Sequence, residues 1–537
     1  MTASLQQPPR TRQGLKVIGL LLAAAIAAFL LNGFRVVQPL LQQDDFQILA
    51  QSWTWEKTWA GIWVPQNEHC MPLGRLLTWL LVRVAGRPTA VPQVTSLVGP
   101  CALLFALPLV YVFVKRELGH AFYGVLAVIL FGVTAVYQQA IYWFAASYSV
   151  LALDMLLLAL LAAQQHLRAD SPLSAGELQN QDDAYSVRQR RRAIRWSYLG
   201  LCTALCTFAP CWFASGILVG PFCCLYLLPA QSSESFPTWQ ARLRTAFVRF
   251  TPMLGTVLFL AVSLPLTAKT ILHLEHYEMQ HTDAVAAFRP DKGFYYTNKA
   301  LVENLLLGLV GVCEVPVPWW LAMFVLVPLL IAAGTWWWLR ARPQDRRLML
   351  LGVGMIYCSY VLVYSARSRW ADQIEMCGEA WCRYNLVPQL GLALFFCGGL
   401  PAWQGRSFVG TTDRRRWWHR VCFALNTDGT LTGRQVVAFS VLIGISFLIQ
   451  LTRGVAGAYW DYPRQHADLH RVEVLDACCR DHRIGADAAR RSLLKLEIDG
   501  SLGGVNGWEF LWGSADPVER PDDEVKRLLE VCDVPKN

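Results

Sequence analysis

Charge is what this sequence has least of. Only 16% of its 537 residues are Asp, Glu, Lys or Arg, while 54% are apolar; a soluble domain runs at roughly 25% charged. One or several ordinary water-soluble domains are thereby excluded, and the apolar content excludes a disordered or low-complexity chain as well. The sequence also lacks an internal repeat of the kind that marks many transporters. A clean small-residue cleavage site is missing too: the first apolar run follows Arg10, Arg12 and Lys16 and continues through Leu30, Leu31 and Phe34. We therefore expect an anchor rather than a cleaved signal peptide.

What is present is apolar sequence in long runs. A hydrocarbon core of about 30 Å needs roughly 20 apolar helical residues. About eleven runs approach that length: 17–37, 92–114, 121–140, 147–165, 196–212, 214–229, 250–271, 317–339, 348–365, 386–402 and 436–452. The stretch 73–86 is too short and carries Arg75 and Arg83, so it reads as an interfacial helix whose arginines reach the head groups.

The net charge of +9 sorts by side of the membrane, with no need for nucleic acid. With the N-terminus inside, Lys115–Arg116, Arg188 to Arg195, Arg242–Arg249, Arg340–Arg347 and Arg414–Arg420 all fall on the cytoplasmic side, as the positive-inside rule predicts. Short outer connections such as Ala145–Ser147 and Cys211–Trp212 hold few basic residues. The expected fold is an all-α polytopic membrane protein of about eleven crossings, with interfacial helices in the first outer loop. Its parts are a cytoplasmic N-terminus (1–16), a transmembrane domain (17–452) with outer loops 38–91, 272–316 and 366–385, and a small α-rich extracytoplasmic domain (453–537). The insert 166–195 reads as a flexible cytoplasmic loop ending in a basic anchor.

The outer loops hold the candidate chemistry. Asp44 and Asp45 follow the first membrane helix and precede a Trp-rich interfacial stretch (Trp53, Trp55, Trp59, Trp63). Paired acids near lipid can hold a divalent ion such as Mg or Mn, or raise one another's pKa to suit a base. The bland alternative is a solvated cap at the start of the interfacial helix. Arg367, Arg369 and Arg383, the last beside Tyr384, lie at the outer boundary, and their planar forks suit phosphate oxygens; head-group snorkelling is the alternative. His273 and His276 share a helix face with metal-ligand spacing, and Glu68–His69, near Arg75, is a weaker pair for metal or substrate. Solvated interfacial side chains are the competing reading for both.

Sixteen cysteines do not form a disulfide framework. Ten, among them Cys101, Cys202, Cys223, Cys224 and Cys358, fall in or against membrane segments or on the inside, where Cys acts as a small apolar residue. Outside lie Cys70, Cys377, Cys382, Cys478, Cys479 and Cys532. Cys377 and Cys382 are close enough to close a small loop by a disulfide.

The layout resembles the GT-C class of integral membrane glycosyltransferases. An N-inside first helix leads to the acidic pair Asp44–Asp45–Phe46, then His69-Cys70-Met71-Pro72 with Arg75. Arg383-Tyr384-Asn385-Leu386-Val387-Pro388 is similar to the RY-x-x-x-P segment of some bacterial members. The resemblance spans residue 17 to about 452 and leaves out the tail. It implies transfer of a sugar from a polyprenyl-phosphate donor to an acceptor on the outer face of a bacterial inner membrane. It also implies Asp44 as base with Asp45 as its neighbour or metal ligand, although the sequence leaves open which aspartate does which; Arg383 is the first choice for the departing phosphate, with Arg367 or Arg369 second. Two other classes compete: a transporter or flippase of lipid-linked glycans, and a scaffold presenting the tail. A transporter needs ionisable residues inside its crossings, and Asp154 is the clearest of few.

Overall fold

Backbone amides in hydrocarbon have no water to bond, so long apolar runs satisfy them within a helix. The computed structural model describes residues 10–33, 36–37, 39, 44–52, 54–65, 70–86, 90–169, 181–228, 239–272, 289–309, 318–366, 383–403 and 433–452. Among these described residues every regular element is helical and no strand occurs. Six helices are long and apolar enough to cross a membrane: Gly14–Asn32, Val91–Leu118, Phe144–Ala169, Thr245–Thr270, Ala322–Arg340 and Asp345–Ser365. Ala121–Gly132, Ala214–Leu227 and Val441–Gln450 are shorter apolar helices. The protein is an all-α membrane protein. Each of the runs picked out by hydropathy overlaps a helix in at least part of its length, and the C-terminal segment 453–537 lies outside the described residues.

In chain order the elements are α1 (Arg10–Asn32), α2 (Asp44–Gln51), α3 (Trp55–Ala60), α4 (Pro72–Ala85), α5 (Val91–Thr95), α6 (Val98–Leu118), α7 (Ala121–Gly132), α8 (Gln138–Tyr142), α9 (Phe144–Ala169), α10 (Gln181–Phe208), α11 (Val219–Leu227) and α12 (Trp239–Leu272). After them come α13 (Pro290–Ala300), α14 (Val327–Arg340), α15 (Pro343–Ala366), α16 (Leu386–Trp403) and α17 (Gly433–Gln450). The hub is α9: 78% of its apolar window is buried, against 17% for α1 and 11% for Ala322–Arg340. Around it α6, α7, α10, α11, α15 and α16 share one apolar core. The outward residues of α1 (Leu15, Ile18, Leu22, Ile26, Leu30) form a stripe at helical spacing, exposed because lipid is their solvent. Between α15 and α16 the backbones touch at Gly352 and Gly391. A side chain on either glycine would collide with the other's carbonyl oxygen.

Three expectations change. The run 121–140 is no single crossing: α7 ends at Gly132, an irregular stretch follows, and α8 begins at Gln138. Its residues Val133, Thr134, Ala135, Val136 and Tyr137 give hydropathy no warning, since four of the five are apolar. Polar side chains from distant helices take up the freed backbone groups, as burial requires. Gln389 donates to Leu130 O at 2.7 Å, Asn32 to Thr134 O at 3.0 Å, and Asn385 to Val136 O at 2.9 Å. The Gln450 side-chain oxygen accepts from the Thr134 hydroxyl at 3.0 Å and the Ala135 N–H at 2.5 Å. Consequently Ala145–Ser147 is not a connection but the buried first turn of α9.

The insert 166–195 is not one flexible loop either. Its first residues complete α9, and its basic end is the start of α10. Helix propagates from an apolar segment into polar sequence at little cost once nucleated. Finally, the stretch taken as outer loop 272–316 holds α13, which continues through a π-helical turn, Leu301–Leu306, and packs against α15 with Leu301 and Leu305 buried.

Candidate functional site

The segment after α1, expected to be the first outer loop, folds as three short helices: α2 and α4 pack near the start of α9, and α3 packs on α4. Thr54 caps α3 by accepting from Lys57 N at 3.2 Å. Trp55 and Trp59 stack at 5.8 Å and stay largely exposed, as interfacial rings do. Pro72 opens α4, and Gly86 closes it at φ 68, a left-handed turn that suits glycine. The inward face of α4 carries Arg75, Thr78 and Val82, one helical stripe, while Leu80, Arg83 and Val84 point out.

Arg75 therefore overturns its expected place at the head groups: it is 1% exposed. Its Nη2 donates to Val64 O at 2.8 Å. A two-residue shift of register, about half a helical turn, would have sent it to the surface, but Gly74, Thr78 and Val82 set which face packs inward. Thr78 donates to Gly74 O at 2.8 Å. A hydroxyl has one proton, so in the short Thr78–Tyr148 hydrogen bond Tyr148 is the donor.

Asp45 is fully buried and accepts the Ala145 N–H at 2.7 Å. This replaces the picture of a solvated cap on its own helix. Asp45 caps a different one, the N-terminus of α9, where the unsatisfied amides and the helix dipole favour negative charge. The charges of Asp45 and Arg75 both act on Tyr148, one turn further along α9. Asp44 is the first residue of α2; its side chain lies outside the described residues.

From the other end of the membrane domain comes the turn Arg383–Asn385, ahead of α16. Asn385 clamps it to the helix break through Val136 O, and Tyr360 donates to Asn385 Oδ1 at 2.6 Å. The Arg383 N–H donates to Gln139 Oε1 at 3.1 Å. Its guanidinium lies 4.3 Å over the Trp143 ring and 5.0 Å over Tyr384, and Nη2 donates to the Tyr384 hydroxyl at 3.2 Å. Among the described residues Arg383 has no carboxylate partner, and its Nε makes no hydrogen bond.

Asp45 and Arg383 thus bracket the same three residues. The carboxylate holds the Ala145 N–H, and the guanidinium covers the Trp143 ring. Between them, Trp143 O accepts the Ala146 and Ser147 N–H groups and starts the helix.

No protein-family model matches this chain, and no curated protein matches it. The case for function accordingly stands on these residues.

Of the remaining candidates, Glu68, His69, His273, His276, Arg367, Arg369, Cys377 and Cys382 lie outside the described residues. Around Asp45, the described residues bring together no set of three carboxylate, imidazole or thiol ligands. Gln139 and Trp143 went unnoticed in the sequence, and Asn385 was read only as part of the segment Arg383 to Pro388. The paired glutamines Gln138–Gln139 inside an apolar run were the available signal, since buried amides there need partners. Also unnoticed was the π-helical turn of Leu301–Leu306, which buries Glu303 and Asn304; Lys299 Nζ lies 3.9 Å from Glu303.

Proposed function

We propose that this protein is a membrane glycosyltransferase of GT-C type, with about eleven crossings, moving a sugar from a polyprenyl-phosphate donor to an acceptor on the outer face. The observation that carries this reading is the convergence of the acidic segment after α1 and the arginine turn before α16 on residues 143–145. Positioning of a base and a phosphate-binding cation about one site is what single-displacement glycosyl transfer needs.

The roles divide by environment. Asp45 already accepts a buried backbone N–H, so it is a positioning residue that fixes α2 against α9. The base is assigned to its neighbour Asp44. Asp44 takes the acceptor hydroxyl proton as the acceptor oxygen bonds the anomeric carbon. The bond from that carbon to the phosphate oxygen breaks, and the electron pair leaves with the polyprenyl phosphate. Arg383 meets the developing phosphate charge with the donors that its aromatic stacking leaves open; single displacement inverts the anomeric centre. The lipid chain of the donor runs between membrane helices. A divalent ion, Mg or Mn, would have Asp44 as its natural ligand, and no step above is routed through one.

Isolated membranes supplied with radiolabelled polyprenyl-phosphate hexoses and pentoses test the reading. Wild type is expected to transfer label, and Asp44→Asn and Arg383→Ala at equal expression are expected to lose it. Full transfer by both variants overturns the assignment. A reporter fused after residue 460 is expected outside; a cytoplasmic reading overturns the topology.

One observation favours a second reading. Asp154, midway along α9, is 2% exposed, and among the described residues its Oδ1 has no hydrogen-bond partner. Buried ionisable groups within the membrane mark substrate or ion paths, as a flippase would need. Lipid-linked glycan crossing proteoliposomes in the absence of any transfer product would favour that reading.

A further inference from the structure

A second cluster lies apart from the outer site, among α9, α10 and α11. Cys202 and Cys206 stand one turn apart on α10, and Cys223 faces them from α11. All three are fully buried, and their sulfurs lie within 4.8 Å of one another. A lone cysteine in such a core is ordinary packing. Three sulfurs from two helices aimed at one point form a ligand set.

We propose that Cys202, Cys206 and Cys223 form a binding site for a soft monovalent metal ion, copper(I). Sulfurs about 2.3 Å from one ion sit about 3.8 Å apart, so the set needs to contract by no more than about 1 Å. The chemistry selects the ion. Thiols without carboxylate or carbonyl ligands suit copper(I) and reject hard ions such as Mg and Mn. Among the described residues no Asp or Glu joins the group.

Charge narrows the choice further, because a net charge in a dry core is costly. When copper(I) binds, one S–H bond breaks, its proton passes to buffer, and a Cu–S bond forms. The remaining two thiols ligate through lone pairs, so the site stays neutral and nothing is oxidised or reduced. A divalent ion reaches neutrality only by expelling two protons from adjacent buried thiols. His166, 1% exposed on α9, donates its Nδ1–H to Arg195 O at 3.0 Å, which orients the ring. The site does not rest on the glycosyltransferase reading.

The test uses the full chain in detergent, loaded anaerobically with copper(I) and challenged with bathocuproine disulfonate. Wild type is expected to retain about one copper per chain. The Cys202→Ser/Cys223→Ser double variant is expected to lose it by more than about tenfold, the loss that even an outer-shell change causes at a metal site. Cys397→Ser, which alters a buried thiol elsewhere that bonds Tyr123 O, is expected to retain it. No retention by wild type, or equal retention by the double variant, overturns the proposal. So does zinc displacing copper under the same challenge. Should the double variant fail to fold, X-ray absorption on copper-loaded wild type decides: sulfur-only coordination supports the site, and oxygen or nitrogen ligands overturn it.

Discussion

The two ends of α9 carry two polar networks of opposite character. At the C-terminal end, the expected inner one, Glu117 is saturated: it accepts from Gln164 at 2.9 Å and Tyr226 at 2.6 Å, and pairs with Arg347 at 3.2 Å. Its charge is matched, its oxygens are occupied, and only 4% of its side chain is exposed. At the N-terminal end, the expected outer one, Asp45 is tied to the helix start, but Arg383 lies over aromatic rings with its Nε left open. A closed network holds helices in place; an open one holds them in place and keeps charge for something else. That contrast separates structure from function here more sharply than burial does, since both carboxylates are buried.

Substitutions at the open end are expected to have the largest effect on activity and a small effect on folding. Asp44→Asn removes the proposed base, and the proposed sugar transfer should fall by roughly 10²–10⁴. Arg383→Ala should cost about 10²–10³. Arg383→Lys should not rescue, because a point charge reproduces neither the planar fork nor the stacking on Trp143. Transfer assays at matched expression check all three, and near-normal activity would erase the distinction between the ends.

The closed end should answer with stability instead. Glu117→Ala strands Arg347, whose side chain is 16% exposed, and should destabilise by about 3 kcal/mol. The combined Glu117→Met and Arg347→Met change should cost less than the single one, since no buried charge is left alone. Thermal unfolding in detergent measures this, with transfer per folded molecule expected to stay near wild type. A large activity loss in a still-folded double variant would show that the inner network also serves the site.

Asp45 falls between the two. Asp45→Ala leaves the Ala145 N–H buried without its acceptor, a cost of about 1–3 kcal/mol. Asp45→Asn keeps an acceptor and should cost less, with transfer reduced by less than Asp44→Asn reduces it. If Asp45→Asn abolishes transfer while Asp44→Asn does not, the base and its neighbour exchange roles.

Legibility in the sequence follows the range of the forces. The presence of the long helices was readable because a 20-residue apolar run is a local property, and the polar start of α10 was misjudged because propagation from that run is not. The break after Gly132 was invisible: its residues are mostly apolar, and its partners Gln389 and Gln450 lie 259 and 316 positions away. The same range explains the site. Asp44–Asp45 and Arg383 stood out as charges in apolar sequence, while the burial of Arg75 depends on Val64 and on which face of α4 packs inward. Cys202 and Cys206 share a helix face by spacing alone, but nothing local brings Cys223 to them.

The smallest expected effect asks how closed the outer end is where no charge is involved. Cys70 precedes α4, reaches Trp63 O at 3.9 Å and accepts the Thr267 hydroxyl at 3.6 Å. Burial pushes its thiol up from the ordinary value, against smaller opposing effects of Thr267 and Arg75. A raised pKa favours the neutral thiol in the folded state. Any stability linked to it is therefore present below the ordinary thiol value and is lost as pH rises through the raised one. At neutral pH, iodoacetamide should label Cys70 more slowly in the folded protein than in the chain unfolded by guanidinium, and the folded-state rate should climb only at higher pH. Equal rates at neutral pH would mean that water reaches this side of the outer network. The open character assigned to Arg383 would then extend to the packing beneath α4, and the contrast between the two ends of α9 would be one of solvation as well as of charge.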